Sequence, residues 1–204
     1  MERKVTVIIP YKEDRGWLNQ AIESVKSQSY KNIELLLCKG NALVGVNLNA
    51  GIAKASGEFI KYLCDDDLLT PDSIKHSVKA FAPSIDFIHG CAENFWPDKT
   101  EIYTPPIKYP TLAEMLKANQ IHGGTVMYRA SVFRKFGFFD TTLWTGEEYD
   151  YNLRLLSNGA TLGYSPEILY RYRRHGGQKS LGNTKASYQA MRKDAIEKIR
   201  DRYR

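Results

Sequence analysis

The chain has 204 residues, 43% of them hydrophobic, and a formal net charge of +6, which is enough for one well-packed domain with a short extension. It contains no run of about eighteen apolar residues, and MERKVTVIIPYKE lacks a secretory leader's long apolar segment and cleavage site, so a helical membrane span is excluded and a soluble, cytoplasmic protein is expected. Cys38, Cys64 and Cys91 form no CxxC pair and have no histidine at zinc spacing, which excludes a structural zinc site of that kind and fits a reducing compartment.

Charge is unevenly distributed. Residues 171 to 204 hold 11 Lys/Arg against 3 Asp/Glu, whereas the first 170 residues are slightly acidic. A basic end of this kind implies an anionic partner such as a phosphate or an acidic membrane surface, or else a solvated helix face that completes the fold.

In chain order, Val5 to Ile9 is β-branched throughout and reads as a strand buried on both faces. Leu18, Ala21, Ile22 and Val25 recur at helical spacing, and Ile33 to Leu37 is a second strand. An Asn- and Gly-rich loop, a helix over Leu48 to Ala55 and a stop at Gly57 lead to a strand over Glu58 to Leu63. Thr70 followed by Pro71 predicts a capped helix that turns Ile74, Val78 and Phe81 inward, and Ile85 to His89 is a fourth strand.

Residues 93 to 110, rich in Pro and aromatics, read as loop; Thr111 to Glu114 is a capping box opening a short helix. A short strand over Thr125 to Tyr128 precedes a helix from Ser131 that Gly137 ends, then a helix over Glu148 to Asn158 stopped by Gly159. Strands near Thr161 to Tyr164 and Ile168 to Tyr172 follow, and a final helix from Thr184 carries Tyr188, Met191, Ala195 and Ile199 on one face. This alternation predicts an α/β fold with a mostly parallel central sheet flanked by helices. In such sheets ligands gather beyond the carboxyl ends of the strands, so Pro10 to Glu13, Cys38 to Gly40 and Asp65 to Asp67 are expected on one rim.

Asp65, Asp66 and Asp67 stand directly after the apolar strand. Adjacent like charges repel and are costly to bury unpaired, so a cation is expected among them. A hard divalent ion, Mg2+ or Mn2+, suits an all-oxygen site and would clamp a diphosphate at the same time. Aspartates also cap exposed amides at turns, although three in a row exceed what capping needs.

VTVIIPYKE, the run NAGIAKASGEFIKYL into CDDDLLTPDSI, and GEEYDYNLRLLSNG with YRYRRH together resemble the family-two glycosyltransferases, inverting enzymes of the GT-A fold. The resemblance covers about residues 3 to 175 in the family's order. It implies a Rossmann-like GT-A domain over 1–180, with a nucleotide-binding half over about 1–92 and an acceptor-binding half over about 93–180, followed by a basic C-terminal helix over 181–204. It also implies nucleotide-sugar contacts from Pro10, Tyr11, Glu13, Lys39, Asn49, Asp65, Asp66 and His175, a metal held by Asp66 and Asp67 in a DXD-like motif, and Glu148 as catalytic base with Glu147 as its alternate. His122, ahead of the flexible pair Gly123-Gly124, and Trp144 are weaker acceptor candidates, and Trp96 and Tyr103 offer sugar-stacking faces.

Two positions depart from the family pattern. Cys38-Lys39-Gly40-Asn41 stands where many relatives carry an acidic motif for the base, and Cys64 where many carry Asp; UDP remains the family default. The partners implied are a nucleotide-diphospho-sugar donor and a glycan or lipid-linked acceptor, with the tail resting on an anionic membrane or completing the fold, and no nucleic acid. The competing readings are a sugar-nucleotide-forming nucleotidyltransferase and a nucleic-acid-binding module, the second motivated by the basic tail.

Overall fold

Strand β1 (Val5–Tyr11) is apolar and buried through Pro10 because both of its faces are covered. In the computed structural model, which describes residues 2–178 and 186–204, β1 pairs in parallel with β2 (Ile33–Lys39) on one side and β3 (Phe59–Tyr62) on the other. Helix α1 (Leu18–Lys26) returns over one face and α2 (Val44–Ile52) over the other, α2 beginning four residues before the expected start.

The remaining strands are β4 (Leu68–Leu69), β5 (Phe87–Phe95), β6 (Thr100–Tyr103), β7 (Met127–Arg129) and β8 (Leu162–Arg173), in the order β2-β1-β3-β7-β5-β8-β4, with β6 paired to β5. The sheet is mixed rather than mostly parallel: β5–β8 joins the two parallel pairs of β1, while β3–β7, β5–β7, β5–β6 and β4–β8 are antiparallel. A 3-10 turn at Gly123–Thr125 starts β7 from the rim, which gives it the reverse direction. Since β7 is antiparallel to both β3 and β5, the carboxyl ends of β1, β2, β3, β5 and β8 all lie on that one rim.

Two apolar clusters flank the sheet. Leu18, Ala21 and Val25 of α1 pack on one face with Ile74 and Val78 of α3 (Ser73–Lys79). The other face takes Leu48 of α2, Met115 of α4 (Leu112–Lys117), Val132 and Phe133 of α5 (Ser131–Phe136), Leu153 of α6 (Glu147–Ser157) and Ile199 of α7 (Ala186–Asp201).

The capping box at Thr111 is present, and Gly137 and Gly159 take φ of +81° and +75° just after α5 and α6, as their places in the sequence require. Thr70 is not a cap: its hydroxyl donates to the Ile168 carbonyl, and α3 starts only after Asp72. Residues 93–110 are not all loop, because β5 runs on to Phe95 and folds back as β6, a pairing that the local Pro and aromatic content conceals. The two strands expected after α6 are one strand, β8, whose register against β5 shifts around Gly90 to Ala92 opposite Ser165 to Tyr170. A division at residue 92 falls inside β5.

The tail helix is observed from Ala186; the first residues of its expected span, 181–185, lie outside the described residues. Ile199 is buried, Arg200 Nε donates to the Tyr149 hydroxyl, and Arg202 and the Tyr203 hydroxyl both reach Asp150. Lys198, Arg200, Arg202 and Arg204 each meet a carboxylate of the protein, so from Lys198 onward the tail's cations are paired within the fold.

Glu34 on β2 joins the first three strands. Its carboxylate accepts from Lys4 Nζ, Thr6 Oγ1, Ser56 N and Ser56 Oγ at 2.6 to 3.2 Å. Burial works against the charge, but these bonds outweigh it and hold the carboxyl down at about 2. A native carboxyl depressed below its unfolded value of about 4.3 stabilises the fold above that pH, and the contribution disappears as pH falls toward 2. Glu34→Gln should therefore cost about 1 to 2 kcal/mol at neutral pH, with the difference from wild type fading between about pH 4 and pH 2 in urea melts.

Candidate active site

The acid triplet follows from how β3 ends. Leu63 is fully buried, and a turn closed by Asp67 N donating to the Cys64 carbonyl swings the three carboxylates onto the rim. They are not equivalent. Asp67 is 1% exposed and its two oxygens accept from the Tyr170 hydroxyl at 2.8 Å and from Arg173 N at 2.7 Å, tying the turn to β8. Burial and the neighbouring Asp66 push its carboxyl well above the usual range despite those bonds.

Asp65 and Asp66 share Arg15 Nη2, at 3.0 and 2.9 Å. Asp66 Oδ2 also lies 3.1 Å from His175 Nε2, and Arg173 Nε donates to the Asp66 carbonyl at 2.7 Å. The cations that the triplet calls for thus come from the loop after β1 and from the end of β8. Ligand atoms of Cys64, Asp66 and Asp67 lie within 4.8 Å of one another. Burial, Asp67 and Asp66 hold the Cys64 thiol protonated, so the donors that suit a hard cation here are the two carboxylates, an oxygen set that fits Mg2+ or Mn2+ sharing its shell with phosphate.

A second acidic group faces the same place. Gly146, at φ +76°, turns the chain into α6, and Glu147 and Glu148 occupy its first turn. Burial first, then the charge of Glu147, raises the Glu148 carboxyl to about 7, against the opposing pull of its own backbone N–H and of Arg192. After burial, the charges of Asp67, Asp66 and Glu147 all push the Cys64 thiol up, so both acidic groups lie near the end of β3. Gly123 packs directly against the first turn of α6 and the end of β3: a Cβ there would sit 2.5 Å from Glu148 Cγ and 2.9 Å from the Tyr62 hydroxyl.

Pro10 and Tyr11 end β1 beside Cys38 and Lys39 of β2, and Gly40 N donates to the Tyr11 carbonyl. Glu13 and Lys39 are exposed on that rim. Both ends of the Asn49 amide bind the backbone of Phe139, at 2.9 and 3.1 Å, clamping α2 to the segment after α5.

The Gly123-Gly124 stretch is a closely packed floor rather than a flexible opening, since a Cβ on Gly124 would lie 2.4 Å from the Tyr170 ring. His122 is enclosed by Tyr103, Tyr170 and Tyr172, and burial with Lys61 holds its imidazole down to about 4, so it is a neutral ring within an aromatic cage. Trp144 stands edge-on to Tyr188 of α7, 5.6 Å between centroids.

Three residues escaped the sequence reading. Arg15 carried a signal, a cation in a strand-end loop facing three acids. Tyr170, whose hydroxyl holds Asp67, carried none. Lys61 interrupts an apolar strand and is fully buried; its Nζ donates to the Gly124 and Val126 carbonyls and lies 5.5 Å from the Tyr170 ring centroid.

The mixed α/β sheet thus gathers its carboxylates on its carboxyl rim. No family model matches the chain. An uncharacterized glycosyltransferase of Rickettsia typhi is 26% identical over 96% of this chain and 72% of its own length, and the putative glycosyltransferase EpsE of Bacillus subtilis is 27% identical over 93% and 82%. The chain spans 65% of the Rickettsia prowazekii relative and 36% of the Rickettsia felis one. The crystal structure of Staphylococcus aureus TarS 1-349 in complex with UDP-GlcNAc superposes with a TM-score of 0.70 at 14% identity, covering 86% of this chain and 60% of that one. By sequence and fold together the chain is a glycosyltransferase similar to these proteins.

Lys61 yields a pH test. Burial lowers its amine to about 7, whereas the unfolded chain keeps the proton to about 10.4, so unfolding takes up a proton between those values and stability rises with pH across them. Lys61→Met should abolish that rise, on the order of 1 kcal/mol per pH unit at its steepest, in denaturant melts from pH 7 to 10.

Proposed function

We propose that this chain transfers a sugar from a nucleoside diphosphate donor, a UDP-sugar by the family default, to a hydroxyl of a glycan or lipid-linked acceptor, in a metal-dependent displacement that inverts the anomeric centre. The observation that carries this reading is the pairing of two separately tuned acidic groups at the end of β3. Glu148 sits near neutrality, and the Asp65 to Asp67 turn is surrounded by Arg15, Arg173 and His175.

A carboxyl at about 7 is half ionised near neutral pH, the condition under which a general base is most effective. Glu148 accepts the acceptor hydroxyl's proton as its oxygen bonds to the anomeric carbon, and the bond from that carbon to the diphosphate oxygen breaks with its electron pair leaving on the diphosphate. His175 and Arg15, both on Asp66, meet the charge that develops there. Mg2+ or Mn2+ held by Asp66 and Asp67 would supply Lewis-acid stabilisation of the same leaving group. Tyr11 and Lys39, adjacent on the rim, border the nucleoside end, and the binding of UDP-GlcNAc by the structural neighbour TarS supports a uridine donor. Glu147 and Trp144 border the acceptor side.

A panel of sugar nucleotides scored for Mn2+-dependent thermal stabilisation should identify the donor, and Asp66→Ala should remove the metal-dependent part of the shift. Loss of that part in no variant of the triplet would overturn the metal assignment.

Glu148→Gln should keep donor binding and lower transfer by about 100- to 10,000-fold, and the wild-type rate should climb with pH toward an apparent pKa of about 7. The same substitution has a stability signature. A native carboxyl raised above its unfolded value holds its proton longer than the unfolded chain does, so wild-type stability falls as pH rises from about 4.3 to 7, and Glu148→Gln should gain on wild type across that window.

A further inference from the structure

On the α1 side of the rim a cavity of about 280 Å3 lies between Trp17, Phe95, Trp96, Arg173, Arg174 and His175. Its walls are aromatic and its charge is positive. Trp17 and His175 lie in ring contact, 4.4 Å between centroids, and Arg173 lies over Trp17 and Phe95. The three arginines at the end of β8 differ in what holds them. Arg171 pairs with Glu93, and Arg173 donates to the Asp66 carbonyl and to Gln20 Oε1. Arg174 packs over Trp96 and Tyr172, 5.4 Å to each centroid, and among the described residues no carboxylate forms an ion pair with it.

A guanidinium packed over rings keeps its in-plane N–H groups free, and that fork matches a carboxylate or phosphate with two parallel bonds. Aromatic walls offer the apolar faces on which a sugar ring packs. The volume is near the small end of ligand pockets, which run from about 300 to 1,000 Å3, so it admits one ring rather than a nucleotide. The two tryptophans come from the starts of different segments, one before α1 and one in the β5–β6 turn, so the cavity is formed only when the sheet assembles. Through His175 it borders Asp66, while Glu148 approaches from the helices of the opposite face.

We propose that this cavity is a subsite for an acidic saccharide unit, one sugar ring bearing a carboxylate or phosphate, belonging to an acceptor chain that crosses the rim with its reacting hydroxyl at Glu148. Naming that ligand an acceptor rests on the transferase reading; the binding of an acidic ring does not.

Trp17 and Trp96 are two of only three tryptophans in the chain, so intrinsic fluorescence reports the cavity directly. Titration of the full chain, without donor, would use tetragalacturonate for the carboxylate form, phosphorylated pentamannoside for the phosphate form and maltotetraose as the neutral control. At least one acidic probe should bind at least about tenfold tighter than maltotetraose, and Arg174→Gln should lose about tenfold of that while Arg174→Lys loses less. UDP affinity, measured on the same folded variants by calorimetry, should stay within about twofold of wild type.

Equal binding of acidic and neutral probes, no acidic binding up to about 10 mM, or a fall in UDP affinity matching the fall in acidic binding would each overturn the proposal, the last by assigning the cavity to the donor. Wild-type protein that binds no sugar nucleotide at all would instead sink the transferase reading, leaving the cavity decided by the oligosaccharide titration.

Discussion

Asp67 is the contact on which the rim depends. A carboxylate at 1% exposure is unfavourable unless its oxygens are bonded, and here they are held by the Tyr170 hydroxyl and the Arg173 amide, both on the long last strand. Fixing Asp67 against β8 also fixes the two residues before it. Asp66 is left between His175 and Arg15, and Asp65 faces Arg15 alone. The sequence presents three identical side chains in a row, yet the fold buries one of them against β8 and leaves the other two more open at the mouth of the site.

The same division appears between the two acidic groups. The triplet is surrounded by protein cations, whereas Glu148 has burial and a neighbouring carboxylate, which together raise its carboxyl to about 7. Gly123 and Gly124 pack closely beside them: neither position has room for a Cβ, the first against Glu148 and Tyr62, the second against the Tyr170 ring. Lys61 underpins this floor, because its amine donates to the carbonyls of Gly124 and Val126 on the strand's buried side.

Much of this was legible in the sequence because it is local. The β-branched run of β1, the helical spacing of α1, the Thr111 capping box and the glycines ending α5 and α6 are each set by a few neighbouring residues, and each forms as read. What escaped is set by partners distant in the chain. Phe95 continues a strand only because Thr100 to Tyr103 folds back on it and β8 runs alongside. Ser165-Pro166 breaks the apolar alternation of β8, so one strand reads as two. The reversed direction of β7 follows from where the chain arrives, which no window of residues records. In the site, the acid triplet and Glu147-Glu148 were visible as motifs, but Tyr170 and the packed glycines act across about twenty-five to one hundred residues of sequence separation and leave no local mark.

The basic tail shows why a charge count misleads. Eleven cations in the last 34 residues suggest an anionic partner, yet from Lys198 onward each Lys or Arg meets a carboxylate, two of which, Asp140 and Asp150, lie on or before α6. The helix therefore contributes at the entrance of the candidate base. Gly146 takes a left-handed conformation and lacks the Cβ that would sit 2.7 Å from Ile196, so α7 can seat against the first turn of α6 while Arg200 binds the Tyr149 hydroxyl next to Glu148. Ile196 and Ile199 thus pack at the start of the helix that carries Glu148, and desolvation is the largest cause of that carboxyl's raised pKa. The tail's last cations and its apolar face thus both seat α7 against the helix that carries Glu148.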